Sequence, residues 1–148
     1  MSKHFEIIVG TMLGAAEYVA DAIAEKLDAS GHTHTIHAEP NLDKIKTEST
    51  WIVCTSTHGA GELPDNIQPF AKQLEGADLS AVNAYVIGLG DTSYDTFCFG
   101  AKEMEKHIKN AGGTVTQMKS GYVEEASIKE NRPPLSVFPA GFFTDDYT

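Results

Sequence analysis

The chain has 148 residues, the size of one ordinary domain able to bury a substantial core of its own. Its 21 acidic side chains outnumber 11 basic ones, and the formal charge of −10 disfavours nucleic acid and anionic membranes as partners while favouring a basic protein surface. Two cysteines, Cys54 and Cys98, have neither the density of a disulfide scaffold nor metal-ligand spacing, so a reducing compartment and no metal site are expected.

The opening residues lead into a strand at Phe5-Glu6-Ile7-Ile8-Val9, too short a run for the apolar region of a signal peptide or for a membrane span, so a cytoplasmic location is expected. Gly10 to Glu17 forms a tight loop into an amphipathic helix with Ala16, Val19, Ala20, Ile23 and Leu27 on one face. Gly31 ends that helix, and His32 to His37 alternates like a strand at a sheet edge. His32 and His34 would share one face there. With no third ligand evident, a solvated edge is expected in place of a metal site.

Pro40 to Glu48 is polar and reads as a connection with at most a short helix. Trp51-Ile52-Val53-Cys54-Thr55 is an apolar, β-branched run of the kind buried on both faces of a parallel sheet. The loop Ser56 to Asn66 follows, with two glycines and a proline that forbid regular structure. Asn66 is placed to cap a helix reaching about Leu74. Val82 to Leu89 is a fourth apolar strand, and Gly90 to Cys98 leaves it as a loop. The next helix sets Ala101, Met104, Ile108 and Ala111 on one face before Gly112-Gly113 stops it. A fifth strand is expected near Thr114 to Met118, and any closing helix must start near Pro133-Pro134 and be interrupted at Pro139. The alternation predicts a single α/β domain over 1–148, a three-layer sandwich around a five-stranded parallel sheet of order 2-1-3-4-5.

Three loops leave carboxyl ends of strands, the edge at which open α/β sheets bind ligands. The first enters a helix with its amides free, a natural phosphate site to which Thr11 adds a hydroxyl. Gly14, Gly59 and Gly61 permit close backbone approach. The third supplies Tyr94, Phe97 and Phe99, aromatic groups suited to stacking on a planar ring or to anchoring the loop in the core. Glu62, Asp65, Asp91 and Asp95 crowd the same rim; each alone reads as solvated surface, and their clustering points to a docking face.

Taken together, Gly10-Thr11-Met12-Leu13-Gly14-Ala15-Ala16-Glu17, Ser56 to Asn66 and Gly88-Leu89-Gly90-Asp91-Thr92-Ser93-Tyr94-Asp95-Thr96-Phe97-Cys98 resemble the flavodoxin family, in its bacterial MioC-type short-chain branch. The resemblance runs from about residue 5 to residue 120, and the last two motifs also resemble the FMN domains of diflavin reductases. It implies a flavodoxin-like sandwich holding a non-covalent FMN. Thr11, Met12, Leu13, Gly14, Ala15 and Ala16 would hold the phosphate. Thr57, His58, Gly59, Ala60 and Gly61 would line one side of the ring, with Gly59 matching the glycine whose carbonyl meets the flavin N5 atom after one-electron reduction. Gly90, Asp91, Tyr94, Phe97 and Cys98 would line the other side, with Tyr94 stacked on the ring. Many flavodoxins have hydroxyl residues where this chain has Leu13 and Ala16, so phosphate binding must lean on backbone amides and Thr11.

The implied function is electron transfer, from a basic flavoprotein reductase to a redox enzyme, by a carrier expected to act as a monomer without catalysing a reaction of its own. Charge shapes it. A carboxylate about 10 Å from the ring, at an effective dielectric of about 20, opposes an added electron by about 1.7 kcal/mol, or about 70 mV. The alternative is a flavodoxin-like binding or regulatory module without a redox cofactor, which the missing hydroxyls favour. A response-regulator receiver would need an acidic cluster at the first strand and an aspartate closing the third, where this chain has a lone Glu6 and Thr55-Ser56.

Overall fold

Runs of β-branched and aromatic residues with no polar alternation can only sit between two covering layers, and this chain has two such runs at its centre. The computed structural model describes residues 3–11, 14–57, 61–90 and 98–116, together with the backbone of residues 122–124. In chain order the elements are β1 (His4–Gly10), α1 (Ala15–Ala29), β2 (Thr33–His37), a short 3-10 turn (Leu42–Lys44), β3 (Thr50–Ser56), α2 (Gln68–Gln73), β4 (Asn83–Gly90), α3 (Phe99–Asn110), β5 (Thr114–Thr116) and β6 (Tyr122–Glu124). All pairings are parallel, in the order β2-β1-β3-β4-β5. β3 and β4 lie at the centre, buried at every residue but the first of each.

The sheet separates two cores. Phe5, Ile7 and Val9 face α1 with Val19, Ala20, Ile23 and Leu27, and Ile52, Cys54, Ile87 and Leu89 complete that layer. On the other face Ile8, Trp51, Val53 and Val86 pack with Phe70 of α2 and with Ala101, Met104 and Ile108 of α3. These are the helix faces that the three-to-four-residue spacing predicts.

Both long helices end in the same device. At the end of α1, Gly31 takes φ +82°, its N–H reaching Asp28 O while His32 N–H reaches Leu27 O. At the end of α3, Gly112 takes φ +95°, bonding Lys109 O while Gly113 N–H reaches Ile108 O. This paired bonding is the Schellman motif, and the residue after its glycine is pulled back over the helix. His32 occupies that position, which corrects the expectation of a solvated histidine. It lies before β2, buried, with Nδ1 accepting from Lys3 N–H at 3.0 Å and its ring edge-on to Phe5.

Of the fifth strand expected over Thr114 to Met118, Thr114 to Thr116 is strand, and Gln117 and Met118 lie outside the described residues. β5 covers Thr114–Thr116 against Asn83–Tyr85, and β6 resumes the same edge at Tyr122–Glu124 against Gly88–Gly90. β4 crosses the interval with the two residues Val86 and Ile87, whereas the chain opposite has five, 117–121. The expected closing helix after residue 130 lies outside the described residues. Among those described, no helix is long and apolar enough to cross a membrane.

Candidate functional site

The three loops leave β1, β3 and β4, neighbours at the middle of the sheet, at their carboxyl ends. β2 lies on one side of β1, while β3 and then β4 and β5 lie on the other, so the chain's winding reverses between β1 and β3 and the crevice between crossovers opens at this edge. Gly10, the last residue of β1, sets how close the strands come. A Cβ there would stand 2.3 Å from Thr55 Oγ1 and 2.9 Å from Ile67 Cγ2, so only glycine fits between β1 and β3.

The first loop is drawn tight by its own side chain. Thr11 Oγ1 accepts the Gly14 N–H at 2.8 Å, and Gly14 takes φ +92° as the N-cap of α1. Among the described residues nothing lies within 4 Å of where a Gly14 Cβ would stand, so none of them keeps a ligand from the backbone there. The first-turn amides of α1 have no acceptor inside the helix and a helix dipole behind them. Ala16 belongs to the buried core under α1, so its side chain faces away from the loop and only its amide can serve a ligand. The residues present therefore fit an anionic group held by backbone donors.

The second loop is fastened at both ends. Thr57 Oγ1 accepts the Gly100 N–H at 3.1 Å, tying the exit of β3 to the first turn of α3. A Cβ at Gly100 would meet Ser56 O at 2.7 Å, another position where only glycine allows the approach. At the far end Asn66 is not the expected helix cap. The cap of α2 is Ile67, with no side-chain bond, and Pro69 fills the first turn. The Asn66 carboxamide instead turns toward β1: Oδ1 accepts Thr11 N–H at 2.8 Å, while Nδ2 donates to Val9 O at 2.7 Å and Ala38 O at 2.8 Å.

The third loop begins at the buried Gly90 and ends at Cys98, which is buried and holds φ +55° as the N-cap of α3. A non-glycine residue in the left-handed region is uncommon, and its use here fixes the angle at which the loop enters the helix. β6 brings the backbone of residues 122–124 alongside Gly88–Gly90, at the base of this loop. Glu62 and Asp65 are exposed on the second loop.

Of the expected site residues, the structure describes Thr11, Gly14, Ala15, Ala16, Thr57, Gly61, Gly90 and Cys98 and gathers them at this one edge. Met12, Leu13, His58, Gly59, Ala60, Asp91, Tyr94 and Phe97, with the rim acids Asp91 and Asp95, lie outside the described residues. Sequence reasoning missed the Asn66 bonds and the close fit of Gly100. Glycine at the start of a helix was the signal for the latter; nothing in the sequence pairs residue 66 with residue 11.

Away from the site, two buried groups are accounted for structurally. Burial pushes the Cys54 thiol up to about 12, leaving it unreactive in the core. Glu6, the lone acid of β1, accepts Lys46 N–H at 2.8 Å and faces His37 Nε2 at 2.9 Å. Burial alone would raise its pKa, but these hydrogen bonds and the histidine charges together hold it below the ordinary value.

A parallel sheet of order 2-1-3-4-5 with binding loops at its carboxyl edge defines a doubly wound α/β protein of the flavodoxin type. The chain belongs to the flavodoxin family, whose Flavodoxin sequence model matches residues 7–134. It is 46% identical to Protein MioC of Escherichia coli strain K12 over 113 residues, 74% of this chain and 76% of that protein. It is also 32% identical over 118 residues, 76% of this chain, to the sulfite reductase [NADPH] flavoprotein alpha-component of Bacillus subtilis, but this covers only 20% of that longer protein. Among solved structures, a C101A mutant of flavodoxin from Pseudomonas aeruginosa superposes with a TM-score of 0.71 at 29% identity, over 90% of this chain and 94% of that one.

Proposed function

We propose that this protein binds one FMN non-covalently and carries electrons between a reductase and a redox acceptor. The observation that carries this reading is the bonding of segments at this edge to one another: Asn66 joins the second loop to the first, and Thr57 joins the second loop to the first turn of α3, just past the end of the third. Loops tied in this way form one preorganised crevice, and preorganisation is what lets a site bind without a further ordering cost. The phosphate falls to the amides from residue 12 to residue 16 and to Thr11, and the ring to the loops of residues 57–61 and 90–98, with Tyr94 stacked upon it. FMN, when bound, supplies the redox chemistry; the protein orients it, sets its potential and excludes water.

The electron donor in this reading is a separate, basic flavoprotein reductase, and the acceptor a redox enzyme, met by the protein as a monomer in the cytoplasm. Support comes from the net charge of −10 and from the acids Glu62 and Asp65 beside the crevice. The test is a titration of purified apoprotein with FMN, followed by flavin fluorescence. Saturable quenching at one equivalent is expected. A chain that leaves flavin fluorescence unchanged at high protein concentration would instead be a cofactor-free module of the same fold.

A further inference from the structure

The Asn66 side chain has three polar positions in use, all at the edge where the loops meet, and it serves three separate segments. Its Oδ1 holds the Thr11 N–H, the first amide beyond β1; its Nδ2 holds Val9 O, near the end of β1, and Ala38 O, one residue beyond β2. This set also fixes which way the amide points, because the flipped group would set its NH2 against an N–H donor and its oxygen against two carbonyls. The cluster continues inward: Thr11, held by its amide, uses its hydroxyl to accept the Gly14 N–H and so shapes the turn before α1.

We propose that Asn66 is the positioning residue of the phosphate site, a clasp from the ring-lining loop that holds the first loop in its anion-ready shape. The proposal rests on the FMN reading given above. Asn66 itself need touch no ligand. Its bond to the Thr11 amide immobilises the residue whose hydroxyl closes the turn, and its bonds to Val9 and Ala38 anchor that point to two strands. No shorter route joins the second loop to the first among the described hydrogen bonds. The two ends of the ligand are therefore held by parts of the protein that move together.

The test compares Asn66→Ala with wild type using FMN and riboflavin, which share the ring and differ in the phosphate. The variant should bind FMN about tenfold or more weakly, the effect of losing one to two net hydrogen bonds, while riboflavin affinity stays within about twofold. In the apoprotein, amide hydrogen exchange should quicken at Thr11 and Gly14 in the variant, with the central strand amides of Ile52 and Val53 still protected. That second reading needs no ligand and shows that the fold is intact. Asn66→Asp, which keeps the acceptor for Thr11 but loses both donors, should restore protection at Thr11 and not the anchoring at Ala38. Equal weakening toward FMN and riboflavin, or unchanged FMN affinity, would overturn the clasp while leaving FMN binding in place. A wild-type protein that binds neither flavin would overturn the cofactor reading and the clasp with it.

Discussion

The buried carboxylate of Glu6 shows how this chain uses charge in its interior. Glu6 points from β1 into the layer opposite α1, where an unpaired charge would be costly, and it is stabilised by the Lys46 amide and by His37 and His4. Because its pKa is lowered in the fold, its contribution to stability is fully present above the ordinary carboxylate value and is lost as pH falls through the lowered one. Glu6→Gln keeps an acceptor for the Lys46 amide but carries no charge. Urea denaturation from about pH 6 down to about pH 3 should therefore show wild type losing stability more steeply than the variant across the carboxylate range. Parallel losses would mean that Glu6 has the same pKa folded and unfolded. The sequence offered only a lone acid at this position, since the partners come from residues 37 and 46, distant in the chain.

Among the elements, β3 and α3 approach each other more closely than any side chain would permit. Gly100→Ala would place a methyl 2.7 Å from Ser56 O, a backbone atom fixed in the central strand, so the start of α3 must shift and the Thr57 bond must stretch. Overpacking of this kind costs about 1–3 kcal/mol, to be read as a lowered urea midpoint with an unchanged slope. An unaltered midpoint would show that the helix start yields freely. Strand and helix identities were legible in the sequence wherever burial alone decides them, as in the faces of α1 and α3 and the apolar runs of β3 and β4. Features set by backbone hydrogen bonding were not. His32 is buried because the Schellman turn folds it over α1, and Asn66 left its expected capping role because three backbone groups of β1, its loop and the β2 exit claim its carboxamide. The interval 117–121 between β5 and β6 lies outside the described residues, and its Ser120-Gly121 pair is a turn signal that the sequence reading did not use.

In the proposed function the excess of acid over base, −10 in all, would be the means of finding a basic partner. Charges exposed near the crevice steer an oppositely charged protein toward it, an effect that screening removes beyond about 10 Å at 0.1 M salt. Replacing Glu62, Asp65, Asp91 and Asp95 by their amides should slow electron transfer from a basic reductase about tenfold or more at low salt, with FMN affinity nearly unchanged. Stopped-flow transfer rates for wild type should also fall as salt rises, and a salt-independent rate would remove the acidic rim from docking.

In the proposed function this flavodoxin-family chain is a carrier whose electrons come from another protein. The most direct measurement mixes FMN-loaded protein with NADPH, alone and with a catalytic amount of a separate flavoprotein reductase, and follows loss of the flavin absorbance. A carrier of this kind should show slow or no bleaching with NADPH alone and rapid, complete bleaching once the reductase is present. Rapid NADPH oxidation by the purified protein alone would contradict it.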